Sequence, residues 1–152
     1  MKPDPAQLDL FLEPVFPVRI PASRIDIERF RAKIKRAMAR AIRECPFDRP
    51  TIAARMAQYL GLPGISKATL DAYTAESKQG HDITLVRFAA FVHATGARRL
   101  WDDVVADQGV TVLIGDEARL AEIGRILQEQ DAIKARLRAI RAARVEIKRG
   151  RI

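Results

Sequence analysis

The residues of this chain best suited to chemistry are donors rather than catalysts. Ser66, Lys67 and Thr69 fall within four positions, and Lys78 and Arg87 follow at steps of nine residues. Hydroxyls and cations grouped in this way can hydrogen-bond to base edges and neutralise phosphates. Bond-breaking needs other groups. No pair of carboxylates, nucleophile beside a base or glycine-rich phosphate loop occurs at a usable spacing, so a non-enzymatic protein is expected. His81 stands in a Gly80-His81-Asp82 turn and His93 in an apolar run, and no third ligand is spaced to complete a metal site. Cys45 is the single cysteine, which excludes an internal disulfide and a thiolate cluster; a half-buried structural thiol is expected. Nothing calls for a cofactor.

Charge narrows the class of partner. The net charge of +8 and isoelectric point near 10.2 favour an acidic partner, either nucleic acid or an anionic surface. A soluble protein with many solvated arginines is the plainer alternative. No apolar run approaches a membrane span, and the early prolines and aspartates do not suit a signal peptide. A cytoplasmic protein with no membrane partner is therefore expected. Residues 1–24 sum to zero, 25–45 to +4, 46–96 to +1, 97–115 to −1 and 116–152 to +4. The positive field thus belongs to the flanks of the donor group.

The elements that must position these donors are helical. Thr51 to Leu60 has helical patterning, Gly61-Leu62-Pro63-Gly64-Ile65 closes it, and Ser66 can cap a second helix reaching Thr74. Before them, Ser23 or Asp26 can cap a helix running to about Cys45. Its apolar stripe is Ile27, Phe30, Ile34, Met38, Ala41 and Ile42. Its other face carries Arg29, Arg31, Lys33, Lys35, Arg36, Arg40 and Arg43, either as a solvated face or in contact with phosphates. Asp48-Arg49-Pro50-Thr51 reads as a capped start with proline in the first turn. Ile83 to Thr95 is apolar nearly all round and is expected at the centre of the core, with Trp101 wedged against the bundle.

Ala57, Gly61, Ser66, Leu70 and the apolar helix after them resemble the phage-repressor-like helix-turn-helix family, over roughly residues 25–101. The resemblance implies a compact bundle of about five helices that binds double-stranded DNA. It would bring Ser66, Lys67, Ala68 and Thr69 towards base edges, with Asp71 and Ala72 alongside, and Lys78 and Arg87 towards phosphates. Pro63-Gly64-Ile65 departs from the pattern as three extra residues in the turn. Asp71 also sits awkwardly beside phosphates unless its carboxylate accepts a hydrogen bond from cytosine.

Residues 1–24 contain Pro3, Pro5, Pro14, Pro17 and Pro21 and read as an extended arm. Within it, Gln7-Leu8-Asp9-Leu10-Phe11 resembles the short peptide by which many bacterial proteins dock on the replicative sliding clamp. The resemblance implies that Leu10 and Phe11 enter an apolar pocket, Leu8 makes a smaller contact and Gln7 hydrogen-bonds at the rim, with Asp9 facing solvent. Packing of Leu8, Leu10 and Phe11 back onto the domain is the alternative.

Val110 to Ile114 reads as the one strand, and its backbone groups need a partner. Two are available: the same strand of a second chain, or Val15 to Ile20, which Pro17 interrupts. From Asp116 to about Arg149 a long helix places Ile123, Ile126, Ile133, Leu137, Ile140 and Ile147 on a heptad seam interrupted by Gln130 and Arg144. The helix can form a coiled coil or fold back on its own bundle. Its residues 116–133 sum to −3 and 134–152 to +7, which favours antiparallel association.

The expected fold is mainly α: an extended arm over 1–24, a compact helix-turn-helix bundle over 25–108, then one short strand and a long helix over 109–152 for oligomerisation. The expected function is a DNA-binding regulator of phage or mobile-element type, acting as a homo-oligomer. An adaptor or inhibitor docking on the sliding clamp is the competing expectation.

Overall fold

The computed structural model describes residues 16–144. Among them the fold is mainly α, with α1 at Ile27–Glu44, α2 at Arg49–Leu60, α3 at Lys67–Thr74, α4 at Leu85–Thr95, α5 at Leu100–Val105 and α6 at Asp116–Ala142. The chain divides into two compact units between Val112 and Leu113. The Gln7–Phe11 peptide lies outside the described residues.

Local chemistry sets the helix ends of the first unit. Asp26, Asp48, Ser66 and Thr84 each accept the backbone N–H three residues on, so α1 to α4 all start with a side-chain cap. Of the two caps expected for α1, Asp26 is the one used, at 3.1 Å from the Arg29 N–H. Gly61 adopts a left-handed conformation (φ +65°) and ends α2, as the turn requires. The link to Ser66 then spans Leu62 to Ile65, including the extra Pro63-Gly64-Ile65.

Met38, Ile52, Met56, Leu70 and Phe91 are fully buried and form the centre of the core. α2 packs most extensively against α4, while α1 crosses α3 and α5. Ala53, Ala57, Ala90 and Ala94 are all buried, and their small side chains let α2 and α4 approach closely. Trp101 meets Phe88 edge-on at 5.0 Å, as a residue wedged against the bundle. Cys45 is half-buried. In α4 the burial is narrower than expected. Phe88, Phe91 and Val92 are inside, but Leu85 and Val86 in its first turn are exposed.

The expected strand at Val110–Ile114 is not a strand, and proline chemistry explains why. Residues 17–22 run beside residues 102–111, but they make only one isolated antiparallel bridge, Pro21 with Gln108. Pro17 and Pro21 have no N–H to donate, so no ladder can propagate between the two segments. Side chains supply the link instead. Arg19 grips Asp102 with two bonds of 2.7 Å and also donates to the Val110 carbonyl at 2.9 Å. The Thr111 hydroxyl donates to the Pro17 carbonyl at 2.7 Å, and the Ala22 N–H to the Asp107 carbonyl at 2.8 Å. Asp102 also accepts the Val112 N–H at 2.9 Å. Its carboxyl is held below the usual range, first by the Arg19 hydrogen bond and further by the Val112 N–H, against the opposing effect of burial. Gly109 is required here: its φ is +74°, and a Cβ would lie 2.7 Å from the Pro21 ring.

In the second unit α6 ends at Ala142, short of the expected Arg149, and Ala143 is already extended. None of its residues is buried. Arg125 bridges Glu122 at 2.6 Å and also pairs with Glu129. Ile123, Ile126, Ile133, Leu137 and Ile140 are all exposed. No helix among the described residues is long and apolar enough to cross a membrane.

Candidate nucleic-acid interface

The start of α3 holds four of the expected contacts together. Ser66, Lys67 and Ala68 are exposed and Thr69 is half-buried, while Leu70 is fully buried and fixes the opposite side of the helix to the core. All three of the polar side chains are already engaged. Ser66 Oγ accepts the Thr69 N–H at 3.1 Å and lies 2.8 Å from Thr69 Oγ1, so both hydroxyls serve the cap. Lys67 Nζ lies 2.6 Å from Asp71 Oδ2, one helical turn on.

Asp71 is answered by cations of its own domain. Besides Lys67 it accepts from Arg49 at 2.9 Å, and the same guanidinium reaches the Thr74 hydroxyl at 3.0 Å. The Lys67 hydrogen bond is the main reason that the Asp71 carboxyl is held below its ordinary range; burial opposes it, and the charges of Lys67 and Arg49 add to it. The outward face of α3 is therefore nearly neutral. Ala68 stands on it between the members of an ion pair.

Lys78 and Arg87 lie elsewhere. Lys78 is exposed in the turn after α3. Arg87 is half-buried on α4, and its guanidinium donates to the Tyr73 hydroxyl at 2.6 Å. An arginine so placed braces α3 against α4, a different task from the expected phosphate contact.

The basic residues of α1 separate into two groups. Arg29, Lys33, Arg36, Arg40 and Arg43 recur at steps of four and three, which puts them on one side of the helix. The row covers about 21 Å at the helical rise of 1.5 Å per residue. It points away from buried Met38 and Ala41. Lys33 pairs with Asp107 at 2.9 Å and Arg36 with Glu76 at 3.8 Å. Among the described residues Arg29, Arg40 and Arg43 have no acidic partner within an ion pair. Beside the row lies an open groove of about 460 Å³, with Arg36, Arg40 and Arg43 on one wall and Thr74 and Glu76 on the other. Row and α3 thus share an edge.

Lys35, expected on the solvated face, is buried with 4% of its surface exposed. Its ammonium donates to the carbonyls of Ala72 at 3.3 Å, Lys78 at 3.0 Å and His81 at 3.1 Å. Three donors meet three acceptors, so the buried charge is fully hydrogen-bonded. Ala72 belongs to the last turn of α3, whose carbonyls lack helical partners. Lys35 is a positive cap on that end, a role that the dipole favours. The sequence does contain a signal: Lys35, Met38, Ile42 and Cys45 recur at steps of three and four, on the inward side. Arg31 also leaves the row, bound to Glu28 at 2.9 Å and Asp82 at 2.8 Å.

No protein-family model, curated protein or solved structure matches this chain. Its residues must carry the functional reading alone.

His93 is exposed and stacks on Tyr59 at 4.0 Å between ring centroids, and His81 lends only its carbonyl to Lys35. Among the described residues no cluster of His, Cys, Asp and Glu could hold a metal ion.

Proposed function

We propose that this chain is a non-enzymatic DNA-binding protein, a regulator of the phage or mobile-element type, working in more than one copy. The observation that carries this reading is the row of Arg29, Lys33, Arg36, Arg40 and Arg43, three of them without acidic partners among the described residues. A straight cationic edge on a rigid helix suits a duplex phosphate backbone, where each neutralised phosphate releases a counterion. The end of α3 lies beside that edge, and its start contributes modestly to base reading, because Lys67 is held by Asp71 and the hydroxyls are held by the cap. Affinity therefore resides chiefly in α1, and sequence preference in Ala68 and in whatever Lys67 gains by leaving Asp71.

Fluorescence anisotropy with a labelled duplex tests the assignment. Changing Arg29, Arg40 and Arg43 to Gln should weaken binding strongly, and changing Lys67, Thr69, Lys78 and Arg87 to Ala should weaken it less while flattening preference among duplexes. Binding that survives the first set overturns the role of α1, and binding and preference unchanged by the second remove the reading role of α3.

A second reading rests on Gln7-Leu8-Asp9-Leu10-Phe11, which matches the sliding-clamp peptide at all five positions. Here the chain is an adaptor or inhibitor at the bacterial clamp. Replacing Leu10 and Phe11 by alanine should abolish retention on immobilised clamp; unchanged retention would remove this reading.

A further inference from the structure

We infer that α6 pairs antiparallel with the α6 of a second copy of this chain, in the register that sets Ile123 against the partner's Ile140. The inference deepens the proposal of more than one copy and needs no DNA.

Three observations converge on that occupant. First, α6 has 27 residues, about 40 Å at 1.5 Å per residue, and buries none of them. Its seam of Ile123, Ile126, Ile133, Leu137 and Ile140 is exposed throughout, 44% at Leu137 and 67% at Ile133. A soluble chain rarely leaves such a continuous apolar line without a partner.

Second, the seam is self-complementary when reversed. With Ile123 opposite the partner's Ile140, Ile126 meets the partner's Leu137 and Gln130 meets the partner's Ile133. The remaining layers repeat these by two-fold symmetry, as an isologous interface must. The sole polar seam residue between Ile123 and Ile140, Gln130, then falls next to the symmetry axis, where it can specify register.

Third, charge selects the direction. Within α6 the stretch from Asp116 to Ile133 sums to −3, while residues 134–144 carry Lys134, Arg136, Arg138, Arg141 and Arg144 and no acid. Reversal lays acidic half on basic half. Of the flanking positions, Glu129 faces the partner's Arg136, and this pair occurs twice. On the other flank Leu127 and Leu120 face the partner's Lys134 and Arg141, whose aliphatic stems can cover them. A parallel pair would set Arg136 beside the partner's Arg141 and stack the basic halves together.

The full chain, with Cys45→Ser as background, gives the test. Sedimentation equilibrium without DNA should return twice 17.0 kDa. Oxidising a mixture of Ile123→Cys and Ile140→Cys variants should cross-link one with the other, whereas neither variant alone should cross-link to itself. Glu129→Arg should weaken dimerisation by roughly tenfold or more through two repulsive contacts, and adding Arg136→Glu should restore it. A monomer at tens of micromolar, a higher oligomer, self-linking of Ile123→Cys or no rescue by the double reversal would each overturn the inference. DNA binding that persisted in a monomer would leave the DNA-binding proposal standing and remove this pairing together with the second copy.

Discussion

If the chain binds DNA as proposed, the salt dependence of that binding counts the side chains of α1 that touch phosphate. Five cations stand in the row, and each contact lowers the slope of log K against log salt by about 0.9 for duplex DNA. Five contacts give a slope near −4.5 per bound copy, so raising salt from 50 to 200 mM should cost roughly 500-fold in affinity. Lys33 and Arg36 must first leave Asp107 and Glu76, but exposed ion pairs of this kind are worth about 0–1 kcal/mol, so release is cheap. Changing Arg29, Arg40 and Arg43 to Gln leaves two contacts, a slope near −1.8 and a loss of only about 12-fold over the same range. Glutamine is a good helix former, so the variant should keep its far-ultraviolet circular dichroism and thermal midpoint. Anisotropy titrations at four salt concentrations would decide the matter. A variant slope within about half a unit of the wild-type value would refute the phosphate rail, because three contacts cannot vanish without releasing fewer counterions.

Other predictions concern the frame that holds this rail. Lys35→Met leaves the Ala72, Lys78 and His81 carbonyls without their shared donor and should destabilise the first unit by about 3 kcal/mol, read as a lower urea midpoint at unchanged slope. Asp102 titrates lower folded than unfolded, so its stabilising effect is complete above its unfolded pKa, near 3.9, and is lost as pH falls through the folded value. The thermal midpoint should therefore drop on acidification through that window, and Asp102→Asn should lower the neutral midpoint while reducing the acid dependence. Gly109→Ala forces a Cβ onto the Pro21 ring at positive φ, so amides near Ala22 should exchange hydrogen faster while those of α2 and α4 keep their protection.

The helical frame of the first unit was legible because its signals are local. Asp48, Ser66 and Gly61 mark their boundaries through their own hydrogen bonds and φ angles, and the apolar steps of α1 need only the helical period. What sequence reading missed depends on partners distant along the chain. Lys35 counts as one more surface cation until residues 72, 78 and 81 are known to converge on it. Val110–Ile114 has strand composition, yet the neighbour it meets is proline-broken and cannot form a ladder. Arg87 has suitable chemistry for DNA, but Tyr73 already occupies it, and that competition appears only in three dimensions. In α6 the period was readable, while the end at Ala142 was not.

The buried ammonium of Lys35 makes α1 and α3 parts of one lever. Its stem belongs to the helix bearing the cationic row, and its three donors grip the tail of α3 and the turn after it. A pull on Arg36 or Arg40 from outside is transmitted to the end of α3 through about 1.4 turns of helix at most. Load taken by the row cannot be absorbed by slack between these elements. On the proposed function, the angle at which α3 would meet DNA is set by how α1 is seated, so a helix that reads nothing itself would decide what its neighbour is able to read.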